Sequence, residues 1–365
     1  MIKRLIFFTI LLISLAGNGL ALMEGCEIYK PIRIAFSAWF NTSPQALLSK
    51  NEQANLIKED TSPPQKQPFK IAFNTWLGYS PLVWANELGF LKQEGLSVEI
   101  TFLEGIAEKN SALIRGEIDG VGHTADSAVT SAAVGVDGQI VYVFDKSFGA
   151  DGILANSNIK SVKDLKGKQV AVETGFTGHF FLLSILDEVG LKESDIDIVA
   201  MDTGSAGSAF MANKIDAAVT WEPWIGKSKK RKDAHILMTS ADRPGLIIDV
   251  LYMRRETIEN RKKDIAALIR AMSKATDWYL HNKDKGDQIM AKFWKLSLKD
   301  TQETAQGIRF MTLDENKIFF GSSAQPGLLL NTVKNANNLW FRAGIIKKQI
   351  EQPNNLIYYS ESLDK

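Results

Sequence analysis

The chain has 365 residues, enough for two domains of ordinary size, and its 45% hydrophobic and 23% charged residues are typical of a folded globular protein. Its formal net charge of +1 gives no overall field that would attract nucleic acid or an anionic membrane, so neither is an expected partner. A single cysteine, Cys26, excludes an intrachain disulfide and a cysteine-based metal site, and the 4 histidines lack metal-ligand spacing, so no metal or cofactor is expected.

The N-terminus has the features of an export signal. Two basic residues precede an apolar stretch from Leu5 to Leu15, which is too short for a comfortable membrane span. The small residues Gly19 and Ala21 predict cleavage near Ala21, so residues 1–21 are assigned to a signal peptide and the mature protein to the periplasm. The alternative is a lipid anchor on Cys26, although Glu24 does not suit the usual small, uncharged position.

Residues 22–67 form an N-terminal extension that contains a partial duplicate. The segment from Lys30 to Pro44 repeats the pattern of the segment from Gln67 to Pro81, but the helix and strand that follow the second copy are absent after the first. We interpret the first copy as a remnant duplication or an additional edge strand. The polar run from Ser49 to Gln67 is predicted to be a linker.

The first complete unit is a βαβ unit. Phe69–Phe73 alternates as a strand does, Pro81 suits the first turn of the helix that follows, and 96–100 is a second strand. The first loop therefore lies at the carboxyl end of a parallel strand, where open α/β sheets bind ligands. Two aromatic residues in that loop, Trp76 and Tyr79, favour a ligand platform over simple packing.

The next elements complete one lobe and lead to a crossing. A turn and short strand over 116–122 precede a helix that Thr124 or Asp126 can cap, and 140–144 is a buried strand. The pattern breaks at 149–152, where we place the first crossing between two lobes.

The second lobe repeats this order of elements. The strand 169–172 feeds a loop rich in glycine and threonine and a helix to about Val189, whose N-terminus can hold an anionic or carbonyl group. Alternatively, Thr177 only caps that helix. A turn and strand over 214–219 end in the loop 220–224, and 245–252 is the returning strand. That strand contains Asp249, which is costly to bury unless it is paired. A long amphipathic helix over 255–281 and further helices to Gly344 follow.

Four segments, in this order, resemble a known family: FNTWLGYSPLVWANELGFLKQEGLSVEI, GHTADSA, VAVETGFTGHFFL and AAVTWEPW. They are similar to exported solute-binding proteins of the nitrate, sulfonate and taurine ABC-transporter group, a set that includes binding proteins for the pyrimidine precursor of thiamine. The resemblance covers about residues 68–345. It implies an α/β fold of the type II periplasmic-binding-protein class, with a ligand cleft between two lobes that close over it. Lobe 1 would comprise 68–150 and 248–365, and lobe 2 would comprise 151–247.

The resemblance also implies which residues contact the ligand. Carried over by position, they fall on four loops and on the returning strand: Trp76, Gly78, Tyr79, Asp126, Thr174, Thr177, His179, Trp221, Glu222 and Asp249. No lysine or arginine lies in these loops, whereas three of the positions are acidic. An anion would meet uncompensated carboxylates, while a cation is attracted to carboxylates and to aromatic faces.

The sequence therefore predicts the substrate-binding component of an ABC importer that captures a small nitrogenous solute, namely an amine, a zwitterion or an aminopyrimidine. The partners would be a permease and an ATPase in the inner membrane, and the protein would be a monomer. The alternative within the family is a nitrate, sulfonate or taurine binding protein. A pyrimidine-synthase-like enzyme is disfavoured because no histidine or cysteine cluster accompanies His123 or His179, so we expect no catalysis. A binding module that feeds a sensor is a further alternative.

Overall fold

The structure, a computed structural model, describes residues 67–360. The predicted signal peptide, Cys26 and the duplicated segment lie outside the described residues. The first elements of the chain build one part of the fold, in the following order: β1 (Phe69–Phe73), α1 (Ser80–Glu87), α2 (Phe90–Gln93), β2 (Val98–Phe102), α3 (Ile106–Arg115), β3 (Gly120–Thr124), α4 (Ala125–Ala133) and β4 (Gly138–Ser147).

A second group of strands and helices follows directly after β4. It comprises β5 (Asp151–Asn156), β6 (Gln169–Val172), α5 (Thr177–Glu188), β7 (Asp197–Ala200), α6 (Thr203–Met211), β8 (Ala217–Trp221), α7 (Trp224–Ser228) and β9 (Ala234–Thr239).

The remaining chain returns to the first group and is mainly helical. It comprises β10 (Ile248–Arg254), α8 (Arg255–Asn260), α9 (Lys262–His281), α10 (Lys283–Trp294), α11 (Leu298–Gln306), β11 (Ile308–Phe310), α12 (Leu313–Phe320) and α13 (Leu328–Arg342).

The strands form two separate sheets. The six-stranded sheet has the order β11-β4-β10-β3-β1-β2, and the five-stranded sheet has the order β7-β6-β8-β5-β9. In each sheet a parallel βαβ core, β2-β1-β3 or β7-β6-β8, is extended by antiparallel strands. The chain passes between the sheets twice, from β4 to β5 and from β9 to β10. We use lobe 1 and lobe 2 as proposed names for the parts that carry the six-stranded and the five-stranded sheet; the predicted boundaries stay a prediction.

Two predicted helices are interrupted. The first helix ends at Glu87 and α2 restarts after Gly89, which adopts a left-handed conformation with φ of 74° that glycine accepts at no steric cost. The long helix predicted over 255–281 is divided at Arg261, whose backbone leaves the helical region at φ −130° and ψ 33°. The strand β11 was not predicted, since its three residues are too short for an alternating pattern to stand out.

Each lobe has its own apolar core. In lobe 1 the strands pack against helices that include α9, and Trp84 stacks on Tyr279 with ring centroids 4.0 Å apart. Lobe 2 has two smaller apolar clusters, one on each face of its sheet. Within residues 67–360, no helix is both long enough and apolar enough to cross a membrane.

Candidate functional site

A small cavity lies where the loops of the two lobes meet. Its volume is ≈ 10 Å³, room for about one water molecule in the arrangement that the structure shows. Five lining residues come from lobe 1, namely from the segment after β1, the end of β3 and β10: Asn74, Trp76, Tyr79, Thr124 and Asp249. The other five come from lobe 2 and its crossings: Asp151, Phe176, Thr177, Trp221 and Ile247. No lysine or arginine of residues 67–360 is among these lining residues.

The ends of strands place these side chains. Asn74 follows β1 directly, Thr124 is the last residue of β3 and Trp221 is the last residue of β8. Asp151 is the first residue of β5 and pairs with Trp221 in the antiparallel register. Because β1, β3 and β8 end at the gap between the two sheets and the antiparallel β5 begins there, residues distant in sequence converge on one cavity.

Acidic residues face one another at the crossing strands. In the antiparallel register Asp249 on β10 lies opposite Asp145 on β4 and opposite Thr124 on β3. The Trp76 indole Nε1 donates a hydrogen bond to Asp145 Oδ2 at 3.4 Å, and Asp145 Oδ1 has no partner among the described residues. Like charges directly opposite each other in a sheet are destabilising. We therefore expect at least one carboxyl of the pair Asp145 and Asp249 to be protonated, and so neutral, in the folded protein.

The pKa values of the acidic residues respond to this burial. Burial, followed by the charges of Asp126 and Glu222, raises the pKa of Asp151 to about 7. Burial raises the pKa of Asp126 to about 6, although hydrogen bonds from Thr124 and Ser127 oppose the rise.

The two facing carboxyls are shifted further. Burial and the nearby Asp151 raise the pKa of Asp145 well above its usual range, and burial with Asp145 and Asp151 does the same for Asp249. At neutral pH the cavity wall therefore carries carboxyl groups that are protonated or ready to exchange a proton.

Aromatic rings form the remaining wall of the cavity. The ring centroids of Trp76 and Trp221 are 6.4 Å apart across the two lobes, and Phe176 lies edge-on to Trp221 at 6.3 Å. Tyr79 stacks on Phe73 at 4.7 Å, which fixes its ring against the core of lobe 1. Indole and phenyl faces next to carboxyls are a combination that suits an organic cation.

A direct hydrogen bond joins the lobes beside the cavity. The hydroxyl Oγ1 atoms of Thr124 in lobe 1 and Thr177 in lobe 2 are 2.8 Å apart. Farther out, Arg342 on α13 pairs with Asp187 on α5 at 3.0 Å. These contacts hold the lobes together in the arrangement that the structure shows.

Lys109 is a buried basic residue beside the cavity that the sequence analysis does not predict. No basic residue lies in the predicted ligand loops, but Lys109 on α3 is completely buried and its Nζ donates to Asn74 Oδ1 and, at 2.9 Å, to the Gly122 carbonyl oxygen. Burial lowers the pKa of Lys109 to about 7 against the attraction of Glu104, Glu173 and Asp249. The sequence pattern that could have identified Lys109 is helical spacing. Residues 106, 109, 110 and 113 share one face of α3, and that face points into the protein.

Five of the predicted site residues line the cavity: Trp76, Tyr79, Thr177, Trp221 and Asp249. Asp126 is buried close enough to act electrostatically on Asp151, but it is not a lining residue. Asp145, Asp151 and Asn74, which are central to the geometry, were not selected from the sequence. That these residues bind a ligand stays a prediction.

The other predicted site residues lie off the cavity. Gly78 allows a close approach, because a Cβ there would overlap Asp145 Oδ2 and Trp76 Nε1. Thr174 is exposed, and Glu222 Oε2 accepts the Gly226 N–H at 2.9 Å at the start of α7.

His179 and Trp224 are also directed elsewhere. The His179 ring packs 5.5 Å from Trp340 and its Nδ1 accepts the Gly175 N–H at 3.1 Å, while burial lowers its pKa to about 4. Trp224, in the same loop as Trp221, packs over Gly207, and Lys227 Nζ lies 4.5 Å from its ring centroid. It is therefore not a lining residue.

Comparisons with known proteins agree with this architecture. The family described as NMT1/THI5 like matches residues 76–285, more than half of the chain. A "Putative binding protein" of Brucella abortus (strain 2308) is 27% identical over 241 residues, which are 65% of this chain and 75% of that protein. The taurine-binding periplasmic protein of Escherichia coli is 25% identical over 216 residues, which are 57% of this chain and 66% of that protein.

The likeness extends to solved structures. The periplasmic aliphatic sulphonate binding protein SsuA from Escherichia coli superposes with a TM-score of 0.66 at 19% identity, over 82% of this chain and 99% of that chain. At that identity the likeness concerns the fold alone, and it confirms the predicted α/β periplasmic-binding-protein fold.

Proposed function

This chain belongs to the NMT1/THI5 like family, and on that premise we propose that it is the solute-binding component of an ABC importer in the periplasm. Its partners would be a permease and an ATPase in the inner membrane, to which it delivers one small molecule. Two features support the proposal: the relatives carry the names of binding proteins, and side chains from both lobes converge on one small cavity. Both features also favour binding over catalysis.

The ligand is a small nitrogenous solute: an amine, a zwitterion or an aminopyrimidine. The observation that carries this assignment is the composition of the cavity wall, which contains Asp151 and Asp249, four aromatic rings and no lysine or arginine from the described part of the chain. A cation over an aromatic face gains about 0.5–2 kcal/mol. An unpaired anion against ionised carboxylates would instead be repelled, by several kcal/mol in a water-poor site.

The second candidate is an anion such as a sulfonate, because relatives include a taurine-binding protein. Thr124 and Thr177 supply hydroxyl groups, and a protonated Asp151 or Asp249 could donate a hydrogen bond to an anionic oxygen. Such binding requires the protons to stay on the carboxyls. The two candidates therefore predict opposite dependences on pH.

The test uses three matched probes: ethylamine, which has only the nitrogen; ethanesulfonate, which has only the anion; and taurine, which has both. Each is titrated into the purified mature protein by calorimetry from pH 5.5 to 8.5. For nitrogen recognition we expect ethanesulfonate to be inert, and the affinity for ethylamine to rise with pH through about 7 as Asp151 loses its proton. Binding of taurine and ethanesulfonate that weakens as pH rises, with ethylamine inert, would establish the anion candidate instead.

The mature N-terminus can be examined on the same preparation. We propose export with cleavage near Ala21, and mass spectrometry of the protein from the cell envelope would distinguish a free N-terminus there from an acylated Cys26. The same sample, analysed by light scattering, would test the proposed monomer.

A further inference from the structure

We infer that Asn74 determines specificity by presenting its amide N–H donors to the cavity, so that the ligand must carry an acceptor oxygen in addition to its nitrogen. The inference rests on the proposed function, because it deepens the description of the ligand for the same cavity. It goes beyond a charge preference by naming a bifunctional class: small zwitterions and amino-carbonyl compounds instead of simple amines.

The orientation of the Asn74 amide follows from its neighbours. Lys109 Nζ and Tyr79 Oη, at 3.2 Å, both donate to Asn74 Oδ1. An amide oxygen has two lone pairs, so these two donors saturate it. In the opposite orientation the amide N–H₂ group would face Lys109 Nζ, which already donates to the Gly122 carbonyl oxygen, and the hydrogen bond from Lys109 would be lost. The Tyr79 hydroxyl also hydrogen-bonds Asp249 and can accept as well as donate, so the orientation rests on Lys109. Lys109 is held in turn by the Gly122 carbonyl oxygen, so the donor cannot easily move away.

The two N–H donors of Asn74 consequently remain available. Within residues 67–360, Asn74 Nδ2 makes no hydrogen bond, whereas Asn74 as a whole is only 2% exposed and lines the cavity. The surface through which an acceptor could reach these donors is therefore the cavity itself. A ligand oxygen placed in the cavity would accept a hydrogen bond from these donors.

Asp151 provides the complementary group. Its side chain lines the same cavity, is 6% exposed, and has its Oδ2 atom without a partner among the described residues. One unpartnered acceptor and one unpartnered donor group thus share one small space. Lys109 behind Asn74 fixes the amide on the donor side, and the Asp145–Asp249 pair adds acidic groups nearby. When the lobes move apart to admit it, a ligand with a protonated nitrogen and an acceptor oxygen would satisfy both groups.

The test compares β-alanine, which carries nitrogen and carboxylate, with propylamine, which lacks the acceptor. Calorimetry with the wild-type protein at pH 8 should give an affinity for β-alanine at least about tenfold higher, the scale of one hydrogen bond to a charged group. Asn74→Asp, which replaces the N–H donors with an acceptor, should lower this affinity ratio by at least about tenfold while propylamine still binds. Asn74→Ser, which removes the amide donors without adding charge, should lower the ratio in the same direction and serves if the first variant does not fold.

Two further variants separate specificity from folding. Asn110→Asp is the matched control, because Asn110 is a neighbouring buried asparagine on α3 that does not line the cavity, and it should leave the ratio unchanged. Lys109→Met removes the donor that orients Asn74, so the ratio should fall although no contact with the ligand is lost. Thermal melting of each variant establishes that it is folded.

The outcomes distinguish this inference from the proposed function. An unchanged ratio in folded Asn74→Asp and Asn74→Ser, with propylamine binding retained, would overturn the role of Asn74 but leave nitrogen recognition intact. Equal wild-type affinities for β-alanine and propylamine would also overturn it. Failure of both probes to bind the wild-type protein would contradict the proposed function together with the inference.

Discussion

Replacing Asp151 by asparagine should make the folded protein more stable at neutral pH and a poorer binder. Burial raises the pKa of Asp151 from an ordinary value of 3.8 to about 7. A folded-state pKa that is raised means that the folded protein keeps a proton the unfolded chain has released. The stability contribution of Asp151 is therefore fully present below pH 3.8 and is lost as the pH rises through 7.

The size of the effect follows from the shift in pKa. About three pKa units at 1.36 kcal/mol each correspond to about 4 kcal/mol lost between pH 4 and pH 8. Asparagine has the same shape and no charge, so Asp151→Asn should unfold with nearly the wild-type free energy at pH 4 and with a free energy a few kcal/mol higher at pH 8. Urea unfolding of both proteins at pH 4, 6 and 8 measures their free energies of unfolding. Subtracting the wild-type value from that of the variant cancels the contributions of the other carboxyls.

Asp164→Asn is the matched control with the opposite sign. Asp164 accepts hydrogen bonds from the backbone N–H groups of Lys160 and Ser161, and these lower its pKa. The stability it contributes is present above its unfolded pKa and is lost at acid pH, so Asp164→Asn should destabilise the protein at pH 8 but not at pH 3. If Asp151→Asn destabilised the protein at pH 8 in the same way, Asp151 would be an ionised, paired carboxylate and the reasoning about the cavity would fail.

Three further predictions concern the surroundings of the cavity. Because the pKa of Lys109 is lowered to about 7, the unfolded chain binds a proton that the folded protein lacks between about pH 7 and 10.5, and the free energy of unfolding rises with pH over this range. Lys109→Met should flatten this rise, as measured by urea unfolding at pH 7–10. Gly78→Ala should cost about 1–3 kcal/mol in the same assay through overlap with Asp145 and Trp76, whereas Gly204→Ala, whose Cβ would be 3.4 Å from its nearest neighbour, should cost nothing. Thr177→Val removes the 2.8 Å bond to Thr124 between the lobes and should weaken ligand affinity by roughly three- to tenfold in calorimetry; unchanged affinity would show that this bond does not stabilise the ligand-binding arrangement.

The local features of the sequence predicted much of the fold. β1 was predicted at its observed bounds, Phe69–Phe73, because alternation and the proline of the next helix are local signals. The returning strand was expected from 245 and begins at Ile248. These elements, together with the family resemblance, were enough to predict the α/β architecture.

The site was predicted less completely, because its decisive contacts join distant segments. In the sequence Asp151 falls within a break in the apolar pattern, although it begins β5 and lines the cavity. Asp145 was left just outside a predicted strand that ended at Phe144, while the observed β4 extends to Ser147. Only the antiparallel register with β10, which is set by tertiary pairing, brings Asp145 opposite Asp249.

The buried carboxyls explain why one cavity wall can suit either an anionic or a cationic ligand. With the protons in place, Asp151 and Asp249 are hydrogen-bond donors, and the wall resembles one that holds an anion. Without them, the same atoms are charged acceptors next to aromatic faces, and the wall favours a cation. Since the pKa of Asp151 is about 7, the free energy that separates these two forms is small near neutral pH. Residue types alone therefore do not decide the charge of the ligand. The deciding property is whether ligand binding removes a proton from the carboxyls of this wall. The sign of the pH dependence of ligand affinity reports that property directly.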